Sequence, residues 1–370
     1  MRILQISDLA PPHIGGVEKV VWKYSTLLSS KGNDVSILTS ALPNVKRFEK
    51  IDKVTFKRIP KYALLMPSLN TNGFDIIHAH SYLSFLGLSL EKKLKNSVII
   101  KHVHSVYGLE LEEFTGWSVS RVFSKIEKYL LNADCTAYIV PSEFTKKKLL
   151  EFGIVKKIHV VPHGVEYSNF PNKDKAREFL NLPKNKRIVG FIGRMSKGKG
   201  PQDLAKIWKD VKKIFPDSLL LFIGPDPDVK TSGITGISDL VKKILIDSDS
   251  IDNVIFTGMV EDGKMPFYIS SLDVYVSPSI NEGFGLTLLN SMAAGIPVIA
   301  YRNSAIPELV GDSGILVPTK DVDSLKNALV NILSDSKLYK EMSEKARERS
   351  KNFTWENSVN LLYDVYSTYL

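Results

Sequence analysis

Short apolar runs alternate with longer segments in which apolar residues recur every three or four positions, and the alternation continues along all 370 residues. Such runs suit strands buried on both faces of a parallel sheet, and the longer segments suit helices laid against it. In the first half the expected strands are Ile3–Ile6, Val35–Leu38, Val54–Phe56, Ile76–Ile77, Val98–Ile100, Tyr138–Val140 and His159–Val161, with helices at about 17–30, 82–95, 119–132 and 143–152. Between Pro162 and Pro183 the periodicity weakens and polar punctuation takes over, which marks a domain boundary. The pattern restarts at Arg187–Ile192 and runs through Leu219–Ile223, Val254–Phe256, Val274–Val276, Val298–Ala300 and Ile315–Val317. Near the end, Thr354 is placed to cap a helix on which Trp355, Val359, Leu362 and Tyr366 share one stripe. The expected fold class is α/β, with two consecutive Rossmann-like domains at residues 1–165 and 166–353.

Composition narrows the class. A hydrophobic fraction of 44% with 24% charged residues is that of a globular chain, and no apolar run approaches the ~20 residues of a membrane span. Met1 to Ser7 meets Asp8 too soon for a signal peptide and fits a first strand. The single cysteine, Cys135, excludes an internal disulfide and a cysteine-built zinc site. A cytoplasmic protein is the resulting expectation.

The net charge of +9 is uneven. Residues 1–170 carry 23 Lys and Arg against 15 Asp and Glu, whereas the remainder carries 26 against 25. The clusters Lys92–Lys93 with Lys95, Lys146–Lys148 and Lys156–Lys157 are ordinarily solvated helix faces. Their alternative use is attraction to anionic lipid, worth ~1 kcal/mol per basic residue near the surface, so peripheral contact with a membrane face is carried forward. No nucleic-acid partner is expected, because no binding motif or interleaved aromatic pattern accompanies the charge.

The densest chemistry lies between Pro278 and Pro297. Gly283 and Gly285 follow a short strand and permit a tight turn, Leu286 to Ala294 have helical spacing, and Gly295 and Pro297 end the helix. A strand, glycine turn and helix leave backbone N–H groups at Gly283, Phe284, Gly285 and Leu286 facing a crevice, which suits a phosphate. Glu282 at its mouth can accept hydrogen bonds from sugar hydroxyls. The same stretch is also compatible with an ordinary α/β turn.

Other loops point the same way with less force. Gly15 and Gly16, directly after the first strand, can bring N–H groups to a phosphate at a helix start, although the dinucleotide spacing is missing. Gly193 to Gly200 follows another strand, and there Arg194 can fork onto phosphate oxygens while Lys199 adds a point charge. All seven histidines precede residue 164, and His78 with His80, like His102 with His104, has the spacing of one strand face. Such pairs can bind metal, but no acidic partner stands at metal-ligand spacing, and a histidine at a strand end is more often structural. No metal site is expected.

The stretch from Pro278 to Pro297 resembles the nucleotide-sugar signature of family 4 glycosyltransferases, which are retaining enzymes of the GT-B architecture. That family usually has a second glutamate where this chain has Asn290. Further segments resemble the family: Gly15-Gly16-Val17-Glu18, Asp75 to His80, Val103 to Gly108, Arg194 with Lys199, and the closing Ile306 to Val310 and Gly314 to Val317. Pro162 to Glu166 matches its linker element, with His163 and Glu166 substituted. The resemblance implies two Rossmann-like domains facing across a cleft, with the last helix, residues 354–370, crossing back onto the first. It implies that a hexose moves with retention from a UDP-, GDP- or ADP-sugar to a hydroxyl of a glycan, lipid-linked or small-molecule acceptor, without metal or other cofactor. His104 and Glu282 would hold the sugar, Asn290 the ribose, Arg194 and Lys199 the phosphates, and Gly15 with Gly16 would reach the donor phosphate. Alternatives kept open are a nucleotide-sugar epimerase of the same fold, a non-catalytic sugar-nucleotide-binding subunit and a histidine-ligated metal hydrolase.

Overall fold

The apolar runs become the strands of two sheets. A computed structural model describes residues 1–65, 72–90, 97–106, 117–167, 170–226 and 237–370. These divide into two units, Met1–Gly164 with Trp355–Leu370, and Val165–Thr354.

In the first unit the strands are β1 (Arg2–Ile6), β2 (Asp34–Ser40), β3 (Phe48–Ile51), β4 (Val54–Ile59), β5 (Ile76–Ala79), β6 (Val98–His102), β7 (Ala137–Val140) and β8 (Ile158–Val160). They lie in the order β3-β4-β2-β1-β5-β6-β7-β8. Every described pairing is parallel except β3 with β4. The helices are α1 (Gly16–Ser30), α2 (Tyr82–Leu90), α3 (Trp117–Asn132) and α4 (Glu143–Glu151). Sequence reasoning missed β3, and the reason is physical. Its side chains are largely exposed, so no apolar pattern marks it, and its hairpin turns on Asp52 and Lys53, both at positive φ (46° and 68°), in place of the usual Asn-Gly. The expected helix at 82–95 is described to Leu90; Lys92, Lys93 and Lys95, like Tyr107 and Gly108, lie outside the described residues.

The second unit holds α5 (Lys173–Phe179), β9 (Arg187–Ile192), α6 (Pro201–Ile214), β10 (Ser218–Ile223), α7 (Ser238–Asp247), β11 (Val254–Gly258), α8 (Met265–Ser271), β12 (Val274–Ser277), α9 (Leu286–Ala293), β13 (Val298–Tyr301), α10 (Ile306–Val310), β14 (Ile315–Val317), α11 (Val322–Ser334) and α12 (Ser336–Ser350). Its sheet is parallel, in the order β11-β10-β9-β12-β13-β14. Both faces are covered. One packs Trp208, Phe222, Val276 and Leu325, and the other packs Tyr275, Leu288, Met292 and Val310. Trp208 is fully buried, and truncating such a side chain to alanine costs about 3–5 kcal/mol. Helix α5 lies within 162–183, where the sequence marks a domain boundary and no element. Asn172 caps it by accepting from the Lys175 N–H at 2.9 Å, and buried Arg177 binds Asp273 at 2.7 Å.

The last helix, α13 (Trp355–Tyr369), belongs to the first unit. Its buried stripe is Trp355, Ser358, Val359, Leu362, Val365 and Tyr366. Beneath α1 and α13 the sheet face is polar and aromatic. Tyr366 Oη lies 2.6 Å from His78 Nδ1 and accepts from Gln5 Nε2 at 3.4 Å, and Tyr24 Oη is 3.1 Å from Ser358 Oγ.

Candidate active site

In a doubly wound sheet, ligands bind outside the carboxyl ends of the strands where the strand order reverses. In the second unit that point lies between β9 and β12. The loops leaving these two strands are 193–200 and 278–285, and backbone contacts lock them together. Ile280 N–H donates to the Gly198 carbonyl at 2.9 Å, and Ser279 Oγ donates to the same oxygen at 3.3 Å. Gly200 sits at φ +72°, and a Cβ there would collide with the Pro278 carbonyl. Only glycine satisfies both demands.

Gly285, at φ +98°, opens α9 with no side-chain cap. The first N–H groups of α9 therefore have no partner within the helix, and the positive end of its dipole is open. Buried Tyr275 steadies this end, since its hydroxyl is 2.9 Å from Thr287 Oγ1 and donates to the Ile192 carbonyl at 3.3 Å. Phe284 turns its ring into the core against Phe353, so only its backbone is left for a ligand. Leu286 and Asn290, one turn apart, are half-buried on the same face. Asn290 makes no side-chain hydrogen bond among the described residues.

Two candidates that sequence spacing could not pair meet here. Lys199 Nζ lies 2.5 Å from Glu282 Oε1, with both groups partly shielded from water. Three donors on the ammonium leave two for another anion. Arg194 is exposed and has no ion pair among the described residues. Sequence reasoning missed Ser304, whose hydroxyl accepts from the Glu282 N–H at 2.9 Å, and Asn303, whose amide donates to the Ser279 carbonyl at 3.0 Å. Their only sequence signal is a polar pair one residue beyond the run Val298–Tyr301.

The first unit's order reverses between β1 and β5. Asp8 and Ser81 follow these strands, and the Ser81 hydroxyl donates to the Asp8 carboxylate. Burial raises the Asp8 pKa above the ordinary carboxylate range, while the Ser81 hydrogen bond and the Lys61 charge partly oppose it. Gly15 is the extended N-cap of α1, Gly16 its first residue, and no side chain caps it through Gly15. The Glu18 carboxylate occupies the space a Gly15 Cβ would need, and it pairs with His13 Nδ1 at 2.8 Å. A phosphate approaching these glycines therefore has to displace a carboxylate.

The histidine pairs form one cluster. His102 and His104 stack with ring centres 4.1 Å apart, His78 and His80 lie at 4.2 Å, and His163 lies 5.6 Å from His102. His80 is buried within it and does not present its ring at the surface. His104 is half-buried, with Nε2 3.1 Å from His80 Nδ1. Burial lowers its pKa to about 3, and holds His78, His80, His102 and His163 well below their usual range with help from neighbouring histidines. His104 is thus a neutral hydrogen-bonding group at physiological pH.

Residues 14–169 match the family described as Glycosyltransferase Family 4, and residues 172–349 match Glycosyl transferases group 1. The chain belongs to the family 4 glycosyltransferases. It is similar to the alpha-monoglucosyldiacylglycerol synthase of Streptococcus pneumoniae, with 26% identity over 84% of this chain and 74% of the other. Phosphatidyl-myo-inositol mannosyltransferase of Mycolicibacterium smegmatis is 25% identical over 100% of this chain and 94% of its own. Among solved structures, Anabaena HepE in complex with UDP-glucose superposes with a TM-score of 0.82 at 16% identity, covering 100% of both chains. The glycosyltransferase thus has the GT-B fold, each of its units built on an α/β sheet. No helix among the described residues is long and apolar enough to cross a membrane.

Proposed function

We propose that this glycosyltransferase moves a hexose-type sugar, with retention and without a metal at the donor, from a nucleoside-diphosphate sugar to a hydroxyl acceptor. The observation that carries the reading is the Lys199–Glu282 contact beside the uncapped start of α9. Departure of the nucleoside diphosphate builds negative charge, and fixed donors aimed at that charge lower the barrier. Lys199, Arg194 and the N–H groups from Gly283 to Leu286 supply them. Glu282 holds sugar hydroxyls, Asn290 reaches the ribose, and neutral His104 stands in the first unit as a hydrogen-bonding candidate. Among the described residues no side chain is placed as a general base, and a leaving phosphate oxygen takes the acceptor proton on the same face.

A lipid-linked acceptor is favoured by α3. Val122, Ile126 and Tyr129 are 60%, 49% and 66% exposed, at the spacing of one helical stripe, and Arg121, Lys125 and Lys128 run beside them. An exposed apolar stripe flanked by cations suits an anionic membrane surface. Of the two relatives described above, one is named for a glucosylated diacylglycerol that it makes and the other for phosphatidyl-myo-inositol, which supports the same choice.

The test is product analysis with labelled UDP-, GDP- and ADP-sugars, with and without membrane lipids, in excess EDTA. Transfer of label to lipid with the anomeric configuration kept is the expected result. Activity lost in EDTA and restored by Mn²⁺ would replace the cationic donors with a metal. An epimerised donor with no transfer would replace the reaction itself.

A further inference from the structure

Three ring nitrogens inside the first unit have no hydrogen-bond partner although they are fully shielded from solvent. They are Nε2 of His78 and both Nδ1 and Nε2 of His102. A buried polar atom left without a partner is costly, so three within one cluster call for an occupant.

The neighbouring bonds decide which nitrogens are available. The Gln5 carbonyl oxygen lies 2.6 Å from His80 Nε2 and can only accept, so that nitrogen carries the proton and Nδ1 keeps its lone pair. Tyr366 Oη lies 2.6 Å from His78 Nδ1, and in the tautomer that donates to it Nε2 is left with its lone pair. In His78 one ring nitrogen meets an oxygen and the other is unpartnered, which is how metal-binding histidines are oriented by their surroundings. His80 Nδ1, by contrast, meets His104 Nε2 at 3.1 Å, and neither nitrogen of His102 is held. His78, His80 and His102 each offer a ligand atom, and these atoms lie within 4.8 Å of one another.

We infer that His78, His80 and His102 form a metal site for a borderline divalent cation, with Zn²⁺ the first choice. Three imidazoles with no carboxylate or thiolate match Zn²⁺, Cu²⁺ or Ni²⁺ and not Mg²⁺ or Ca²⁺. Tetrahedral ligand nitrogens at Zn–N distances near 2.0 Å are roughly 3.3 Å apart, so the rings close inward by up to about 1.5 Å on binding. His104 Nε2, 3.1 Å from His80 Nδ1, is already at such a separation and is in reach as the fourth ligand. His102, His104 and His163 make a second, overlapping trio. The first is assigned because the unpartnered nitrogens of His78 and His102 both belong to it. The site lies on the sheet face under α1 and α13 and does not depend on the proposed transfer reaction.

The experiment uses tag-free full-length protein, loaded with Zn²⁺ or Co²⁺ and then dialysed against metal-free buffer. One metal per chain is expected, with the intense visible absorption of four-coordinate Co²⁺ and a raised melting temperature. His78→Gln and His102→Gln are expected to lose both signals. His163→Asn, which restores the residue of the linker motif, and His159→Gln, outside the cluster, are expected to keep them. Because the wild-type stoichiometry and spectrum stand alone, a variant that fails to fold leaves the test intact. Less than a tenth of an equivalent retained by wild type overturns the site in favour of a trapped water. Metal kept by His78→Gln but lost from His163→Asn overturns the choice of trio. Sugar transfer is measured separately, so its failure does not touch the metal count.

Discussion

The two units place polar chemistry in opposite ways. In the second, charge stands on loops beyond the strands: Arg194 is exposed, Lys199 and Glu282 are partly shielded, and the start of α9 is left open. In the first, four buried histidines, the half-buried His104 and two buried tyrosines lie on or near the sheet face, with the imidazoles neutral. The loop arrangement keeps ions near water until a ligand replaces it, so its groups contribute little to stability and remain available for chemistry. The buried layer does the reverse. Each of its hydrogen bonds is made in a low dielectric and is expensive to lose.

That contrast can be broken most sharply at Lys199. Lys199→Ala is expected to lower kcat by ~10²–10³-fold, the scale of losing one transition-state charge partner, with little change in melting temperature because a half-exposed ion pair adds ~1 kcal/mol at most. Turnover within threefold of wild type would remove this residue from the site. The mirror experiment is Tyr366→Phe, which takes the hydroxyl from both His78 and Gln5. It should cost about 1–3 kcal/mol of stability in a denaturant melt while the KM for donor stays where it was. A melt unchanged from wild type shows that the buried layer tolerates an unpaired group.

Asn290→Glu probes the loop side at smaller scale. A charged acceptor for the ribose hydroxyls in place of a neutral one gains ~1 kcal/mol, on the order of fivefold in affinity. Titration calorimetry with the matching nucleoside diphosphate reads it, and weaker binding would move the ribose away from residue 290. The smallest effect belongs to Asp8. Its pKa is raised on folding, chiefly by burial. The folded chain therefore favours the protonated form; the associated stability is complete below the unfolded value near 3.9 and is lost as pH rises through the folded value. At neutral pH the ionised carboxylate is a net cost, so Asp8→Asn should raise the melting temperature slightly at pH 7 and lose that advantage near pH 3.5. A lower melting temperature at pH 7 sinks the assignment.

Legibility followed the same division. The glycine loops at 193–200 and 278–285 could be placed from spacing alone, because a strand, glycines and a capped or uncapped helix start are local features. The stripe of α13 was visible for the same reason, since Trp355, Val359, Leu362 and Tyr366 repeat at helical intervals. What joined distant segments was not. Lys199 and Glu282 are 83 residues apart, and nothing in either loop names the other. His-x-His spacing put two rings on one strand face, but it could not show that β5 lies beside β6 in the same sheet, nor that His163 joins them. Strand β3 and helix α5 escaped because their stability comes from a hairpin turn and a buried arginine, not from an apolar repeat.

Helix α13 has a consequence for how the protein is made. The ribosome delivers residues 1–164 long before Trp355 to Tyr369, yet Tyr366 and Ser358 complete hydrogen bonds begun by His78, Gln5 and Tyr24. The first unit to emerge is thus the last to be finished. A fragment ending at Gly164 is expected to bind a hydrophobic dye and to resist digestion only when a peptide spanning 355–370 is supplied. Equal protease resistance without the peptide would show that the nascent unit closes on its own. During synthesis the unfinished face is the stretch on which a chaperone has most to protect.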